Sequence, residues 1–155
     1  MTIEFGIFDH LDLRTNESLA LTYSDRIRFI QAAEQYGFRN YHLAEHHGTS
    51  LGSAPSPNIF LAAVASNTSK IKIGPLVYIA PAYLPLRLLE EICMLDNLSN
   101  GRLEFGLGRG VSPIELKFCD LDPENTVTTP CHGSPDGLQI CLTVPLKRLC
   151  NNASH

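Results

Sequence analysis

The chain has 155 residues, of which 44% are hydrophobic, 18% charged and 8% aromatic, enough apolar content for a packed core and too much for a disordered tail. Sixteen acidic against 12 basic residues give a net charge of −4, which argues against a general nucleic-acid or anionic-membrane binder. No apolar run approaches the roughly 18 residues of a spanning helix, and Met1-Thr2-Ile3-Glu4-Phe5 lacks the basic, then apolar, start of an export signal.

Ile3-Glu4-Phe5-Gly6-Ile7-Phe8 alternates and predicts a strand with Ile3, Phe5 and Ile7 on one face. Ser24 to Tyr36 predicts an amphipathic helix through Ile27, Ile30, Ala33 and Tyr36, with Gly37 placed for a left-handed cap. Asn40 to Glu45 predicts the second strand. Ser56-Pro57 then opens a helix over Asn58–Ala65, Ser as N-cap and Pro at the first helical position. Lys70 to Ile79 predicts the third strand, Pro85 opens a helix over Leu86–Leu98, and Arg102–Leu107 predicts the fourth strand. Strands starting near residues 3, 40, 71 and 102, with a helix in each gap, predict βαβ units and a parallel sheet. An open doubly wound sheet and a (β/α)8 barrel both fit this spacing.

Ser112-Pro113-Ile114-Glu115 reads as the start of a further helix with a capping box. Beyond Phe118 the composition changes. Every Phe and Tyr lies at or before that residue, whereas Cys119, Cys131, Cys141 and Cys150 and four of the ten prolines follow it. The chain therefore divides into residues 1–118, with four βα units, and a divergent segment 119–155, poorly ordered or holding one strand over Leu138–Val144. Without an export signal the expected compartment is the cytoplasm. There the cysteines stay reduced, and the Asn-x-Ser/Thr tripeptides at Asn16, Asn67, Asn97 and Asn152 are chance matches.

Sites in parallel α/β proteins lie at the C-terminal ends of strands. Strand two runs out through His42-Leu43-Ala44-Glu45-His46-His47, where a histidine suits proton transfer near neutral pH and Glu45 is placed to orient an imidazole. The same residues fit the H-x-x-E-H pattern of zinc peptidases, a lesser alternative using His42 and His46; it needs a helix, and Gly48, Gly52 and Pro55 oppose one. With no CxxC pair either, no metal site is expected. Gly106-Leu107-Gly108-Arg109-Gly110 follows strand four and suits a phosphate, with a forked donor in Arg109; the third glycine of a dinucleotide fingerprint is missing at Val111. Gly74 to Pro81 is apolar enough to wall a flat aromatic cofactor or to be a buried strand.

Taken in order, Leu43-Ala44-Glu45-His46-His47, Gly74 to Pro81, Pro85-Leu86-Arg87 with Glu90-Glu91, Leu95 to Arg102 and Gly106-Leu107-Gly108-Arg109-Gly110 resemble the bacterial luciferase-like flavin-dependent monooxygenases over about residues 3–124. The resemblance implies a TIM barrel. It also implies reduced FMN or the deazaflavin F420 as cofactor, with FMN favoured, oxygen or a hydride acceptor, and a small organic substrate; whether a flavin reductase is a partner stays open. It makes His46 the catalytic base or proton carrier, beside Glu45. It sets a non-prolyl cis peptide at Leu76–Val77 against the flavin ring, brings Gly108 near the ring or ribityl chain, and puts Arg109 on the phosphate.

A full barrel needs eight strands and about 250 residues. The expectation is therefore an incomplete N-terminal half barrel, truncated or frameshifted after residue 124, with strands one and four as open edges. Such a chain should dimerise, aggregate or stay a partly folded monomer, bind flavin weakly or not at all and show negligible turnover. The alternative is a non-catalytic half-barrel association protein.

Overall fold

The computed structural model describes residues 3–119 and the backbone of 140–142. Its elements alternate: β1 (Gly6–Asp9), α1 (Leu19–Gln35), β2 (Asn40–Leu43), α2 (Pro57–Asn67), β3 (Lys72–Pro75), β4 (Tyr78–Ile79), α3 (Pro85–Leu98), β5 (Phe105–Gly108), α4 (Pro113–Phe118) and β6 (Ile140–Leu142).

β1, β2 and β3 pair in parallel, Phe8 opposite His42 and His42 opposite Gly74. β4 pairs in parallel with β5, and a parallel bridge from Ile73 to Leu103 joins the two groups. This is the βα order of a barrel, present in part.

The pleat sorts side chains between two faces. Tyr41, Leu43 and Ile73 point toward the helices and are fully buried, packed with Ile30 and Ala33 of α1, Phe60, Leu61 and Val64 of α2, and Leu88, Ile92 and Leu95 of α3. Phe8, on the opposite, barrel-interior face, stays 54% exposed. Among the described residues nothing covers that face as the helices cover the other.

Local signals explain the element ends. Ser18 caps α1, its hydroxyl accepting from the Leu21 amide. Gly37 takes φ 81° after that helix, and the Phe38 amide returns to the Ala33 carbonyl, a left-handed C-terminal cap. Pro57, Pro85 and Pro113 each open a helix at its first turn.

Several expectations need correction. α1 begins at Leu19 rather than Ser24, and Tyr36 is exposed instead of core. Ile3 and Phe5 precede β1 and are exposed. The third strand is two, β3 and β4, divided at Leu76–Val77, whose peptide is cis. Strand four is not an open edge: β6 lies antiparallel on β5, Gly106 opposite Cys141. The late strand read over Leu138–Val144 is this shorter Ile140–Leu142; the rest of the divergent segment lies outside the described residues.

Arg102 is not in a strand. Buried, it donates to the carbonyls of Ser99, Ile71, Ala65 and Thr68 and to the Thr68 hydroxyl, gathering loose ends after α2 and α3. Glu34 does the converse, accepting from the amides of Ser69, Lys70 and Ile71. Those bonds hold its carboxyl below the usual range against the opposing effect of burial.

Candidate active site at the C-terminal strand ends

Because β1, β2, β3 and β5 run the same way, the segments following them emerge at one end of the sheet. Three groups of candidate residues stand there.

The first follows β1 and β2. Asp9, at the end of β1, accepts from the Leu11 amide (3.0 Å) and the Tyr41 hydroxyl (2.6 Å) and pairs with Arg26 (3.2 Å). Burial, then Asp9, pushes the Tyr41 phenol far above its ordinary value. Leu11 is fully buried at φ 54°, a left-handed conformation rare for a branched residue. Its carbonyl is held by the Ser53 amide and hydroxyl. Between these two fixed residues the turn presents His10.

His46 lies beyond β2. Its Nδ1 is 3.0 Å from Glu115 Oε1 and its Nε2 is 3.1 Å from His10 Nδ1. Glu115, on α4, is 4% exposed and also accepts from the Thr49 hydroxyl at 3.4 Å. Gly52 lets its loop close over the pair, since a Cβ there would meet the His10 carbonyl at 2.9 Å.

Glu45 does not orient His46. Its buried carboxylate accepts from His47 Nε2 (2.6 Å) and from the Ile79 amide (3.1 Å), so it ties the segment after β2 to the end of β4. The same bond raises the His47 pKa above its ordinary value, against partial burial.

The second group is Leu76 and Val77, half-buried apolar side chains after β3. Gly106 and Gly108 of β5 make room for them: a Cβ at Gly106 would come within 2.7 Å of Val77, and one at Gly108 would overlap it. The glycines of Gly106-Leu107-Gly108 thus serve packing within the sheet. The third group is Arg109, an exposed guanidinium with no hydrogen bond or ion pair among the described residues.

The zinc-peptidase reading fails on geometry. His42 lies in a strand, so His42 and His46 share no helical face. The buried Nδ1 of His42 has no hydrogen-bond partner among the described residues, and burial holds this imidazole's pKa below its usual value. Among the described residues no group of three or more His, Cys, Asp or Glu is placed to hold a metal, and no helix is long and apolar enough to cross a membrane.

Two residues of the His46 cluster went unnoticed in the sequence. In the sequence Glu115 stands out only as half of a capping box. The Ser112 half forms, its hydroxyl accepting from the Glu115 amide at 3.4 Å, but the carboxylate goes to His46 and Thr49. His10 carried one signal: it stands a residue past the end of β1.

The parallel strands, with their candidate residues gathered at the C-terminal ends, follow the order of a βα-barrel, present in part. Residues 3–129 match the family model for luciferase-like monooxygenases, and the chain belongs to that family. It is 51% identical over 122 residues to the uncharacterized protein y4wF of Sinorhizobium fredii, covering 79% of this chain and 35% of that one. It is 32% identical over 119 residues to the oxygenase component of a flavin-dependent trigonelline monooxygenase from Acinetobacter baylyi, covering 74% and 32%. The oxygenating constituent of 3,6-diketocamphane monooxygenase from Pseudomonas putida, solved in complex with FMN, shares the fold with a TM-score of 0.74 at 21% identity, over 90% of this chain and 43% of that one. The chain thus spans about a third of the length of the curated relatives it matches.

Proposed function

We propose that this chain supplies the N-terminal part of a flavin-dependent monooxygenase site. The substrate class is a small organic molecule, the cofactor reduced FMN with F420 as the alternative, and the compartment the cytoplasm. A separate flavin reductase is the partner that delivers reducing equivalents. One observation carries the reading: a histidine–carboxylate cluster and an exposed guanidinium, unpaired among the described residues, emerge at the same end of parallel strands joined by a bridge.

The residues present fit such a cofactor. Arg109 has its donors available for a phosphate, which a guanidinium binds through a planar fork. Leu76 and Val77 keep accessible apolar surface for a flat ring, with Gly108 behind Val77. When bound, reduced FMN supplies the electrons that activate dioxygen for insertion into the substrate. The chain's own residues bind the phosphate, wall the ring and handle the proton through His46. Glu45 acts indirectly, fixing His47 and the backbone at Ile79.

Titration of FMN followed by its fluorescence tests this. We expect binding weaker than micromolar by the isolated chain, and weaker still, by about tenfold, in Arg109→Ala, since a charge-assisted hydrogen bond is lost. Equal binding by the two proteins would remove Arg109 from the site, and a parallel titration with F420 decides between the cofactors.

A further inference from the structure

We propose that His10, His46 and Glu115 form a proton relay whose open end is His10 Nε2, so that His10 rather than His46 is the group that meets the substrate. This rests on the flavin-monooxygenase reading for its chemistry, but not for its geometry.

The argument begins at the buried end. A carboxylate only accepts, so the 3.0 Å contact between Glu115 Oε1 and His46 Nδ1 requires the proton on Nδ1. A neutral His46 then has its lone pair on Nε2. That nitrogen lies 3.1 Å from His10 Nδ1, which must therefore be the donor. Both nitrogens of His46 are thus engaged within the protein. The remaining lone pair of the chain is on His10 Nε2, which makes no hydrogen bond among the described residues.

Ring geometry agrees. The planes of His10 and His46 are 16° apart with centroids separated by 5.2 Å. That separation is about two ring radii plus the nitrogen–nitrogen distance, so the rings meet edge to edge in nearly one plane. An in-line N–H···N bond needs this arrangement; a face-to-face stack would not allow it.

The position of His10 agrees as well. Its ring packs edge-on against Phe8 at 5.1 Å, and Phe8 belongs to the barrel-interior face. His10 therefore stands over that face at the C-terminal end of β1. The turn holding it carries left-handed Leu11, anchored on both sides by Asp9 and Ser53. Backbone outliers of this kind persist where the surroundings over-determine them, often at sites.

The transfer balances without a co-reactant. A proton arrives from the substrate on His10 Nε2, and the proton on His10 Nδ1 passes to His46 Nε2. His10 ends neutral, now protonated on Nε2, and His46 becomes an imidazolium donating to the Glu115 carboxylate. The positive charge thus moves from the site to a buried anion.

Nitrogen-15 spectroscopy of the histidine-labelled full chain without flavin tests the relay. At a pH where the imidazoles are neutral, His10 and His46 are both expected to show protonated Nδ1 and bare Nε2. A His46 protonated on Nε2 overturns the proposal, with no variant required. In Glu115→Leu the His46 tautomer should shift toward Nε2–H. In His10→Phe the His46 Nε2 resonance should move to that of an unbonded nitrogen while His47 stays unchanged; no movement of His46 in either folded variant also overturns it. Diethyl pyrocarbonate, mapped by mass spectrometry, should acylate His10 before His46, and the reverse order refutes the open end. None of these readouts depends on flavin, so a failed FMN titration would defeat the functional reading and leave the relay standing.

Discussion

At the scale of single residues, the described part of the molecule is held by a few polar side chains that finish backbone hydrogen bonding. Arg102 is the clearest. Replacing it by Met keeps much of the volume but strands four carbonyls without a donor. Each buried group left unpaired costs about 1–3 kcal/mol, though relaxation and water recover part of the total. We expect Arg102→Met to lose about 3 kcal/mol, read by urea denaturation. The Glu45–His47 pair gives a pH signature. Its hydrogen bond raises the folded pKa of His47 above the ordinary 6.5. Its contribution is therefore fully present below about pH 6.5 and is lost as pH rises through the elevated value. Partly buried His42, with its pKa lowered, destabilises the fold as pH falls below 6.5. Comparing wild type with His47→Gln cancels that opposing effect. The difference in Tm, roughly a degree or two for a partly exposed ring, should be largest near pH 6 and vanish in mild alkali.

At the scale of elements, the sequence was most legible where one residue type has one structural use. Ser56-Pro57, Pro85 and Ser112-Pro113 marked three helix starts correctly, because proline fits a first turn and little else in a helix. Ser18 carries no such mark, because the turn it begins, Leu19-Ala20-Leu21-Thr22, has no clear apolar period before Tyr23. Yet it caps α1, and Ser18→Ala should cost about 1 kcal/mol in a thermal or urea melt. Period two found the strands but not their ends. Alternation over Lys70–Ile79 continues through the break at Leu76–Val77, and alternation from Arg102 overlooks the carbonyls waiting for its guanidinium. The candidate site was half legible. His46 and Arg109 follow strands and can be found by position. Glu115 reaches His46 from 69 residues away in the chain, and no local pattern reports a contact of that range.

At the scale of the whole molecule, the sheet has one face covered by helices and one that nothing covers among the described residues. β1 is hydrogen-bonded to β2 alone among the described strands, so its outer row of amides and carbonyls is available. Beside that edge lie exposed Phe5 and Phe8. We expect the isolated chain to self-associate through this region. Sedimentation velocity over a concentration series should show mass rising with concentration, and Phe8→Lys should reduce it. Concentration-independent monomer in both proteins would refute this.

The other end of the sheet has a different prospect. β6 runs against β5, pairing Phe105, Gly106 and Leu107 with Leu142, Cys141 and Ile140. A further βα unit of a parallel barrel would require that same row of backbone groups, approached in the opposite polarity. Reconstituting the barrel from a second polypeptide is therefore a strand exchange, and β6 is the incumbent. Its release sets the pace at which a complementing fragment can enter. Mixing such a fragment with this chain should give assembly whose rate saturates as the fragment is raised, because the departure of three paired residues then becomes the slow step.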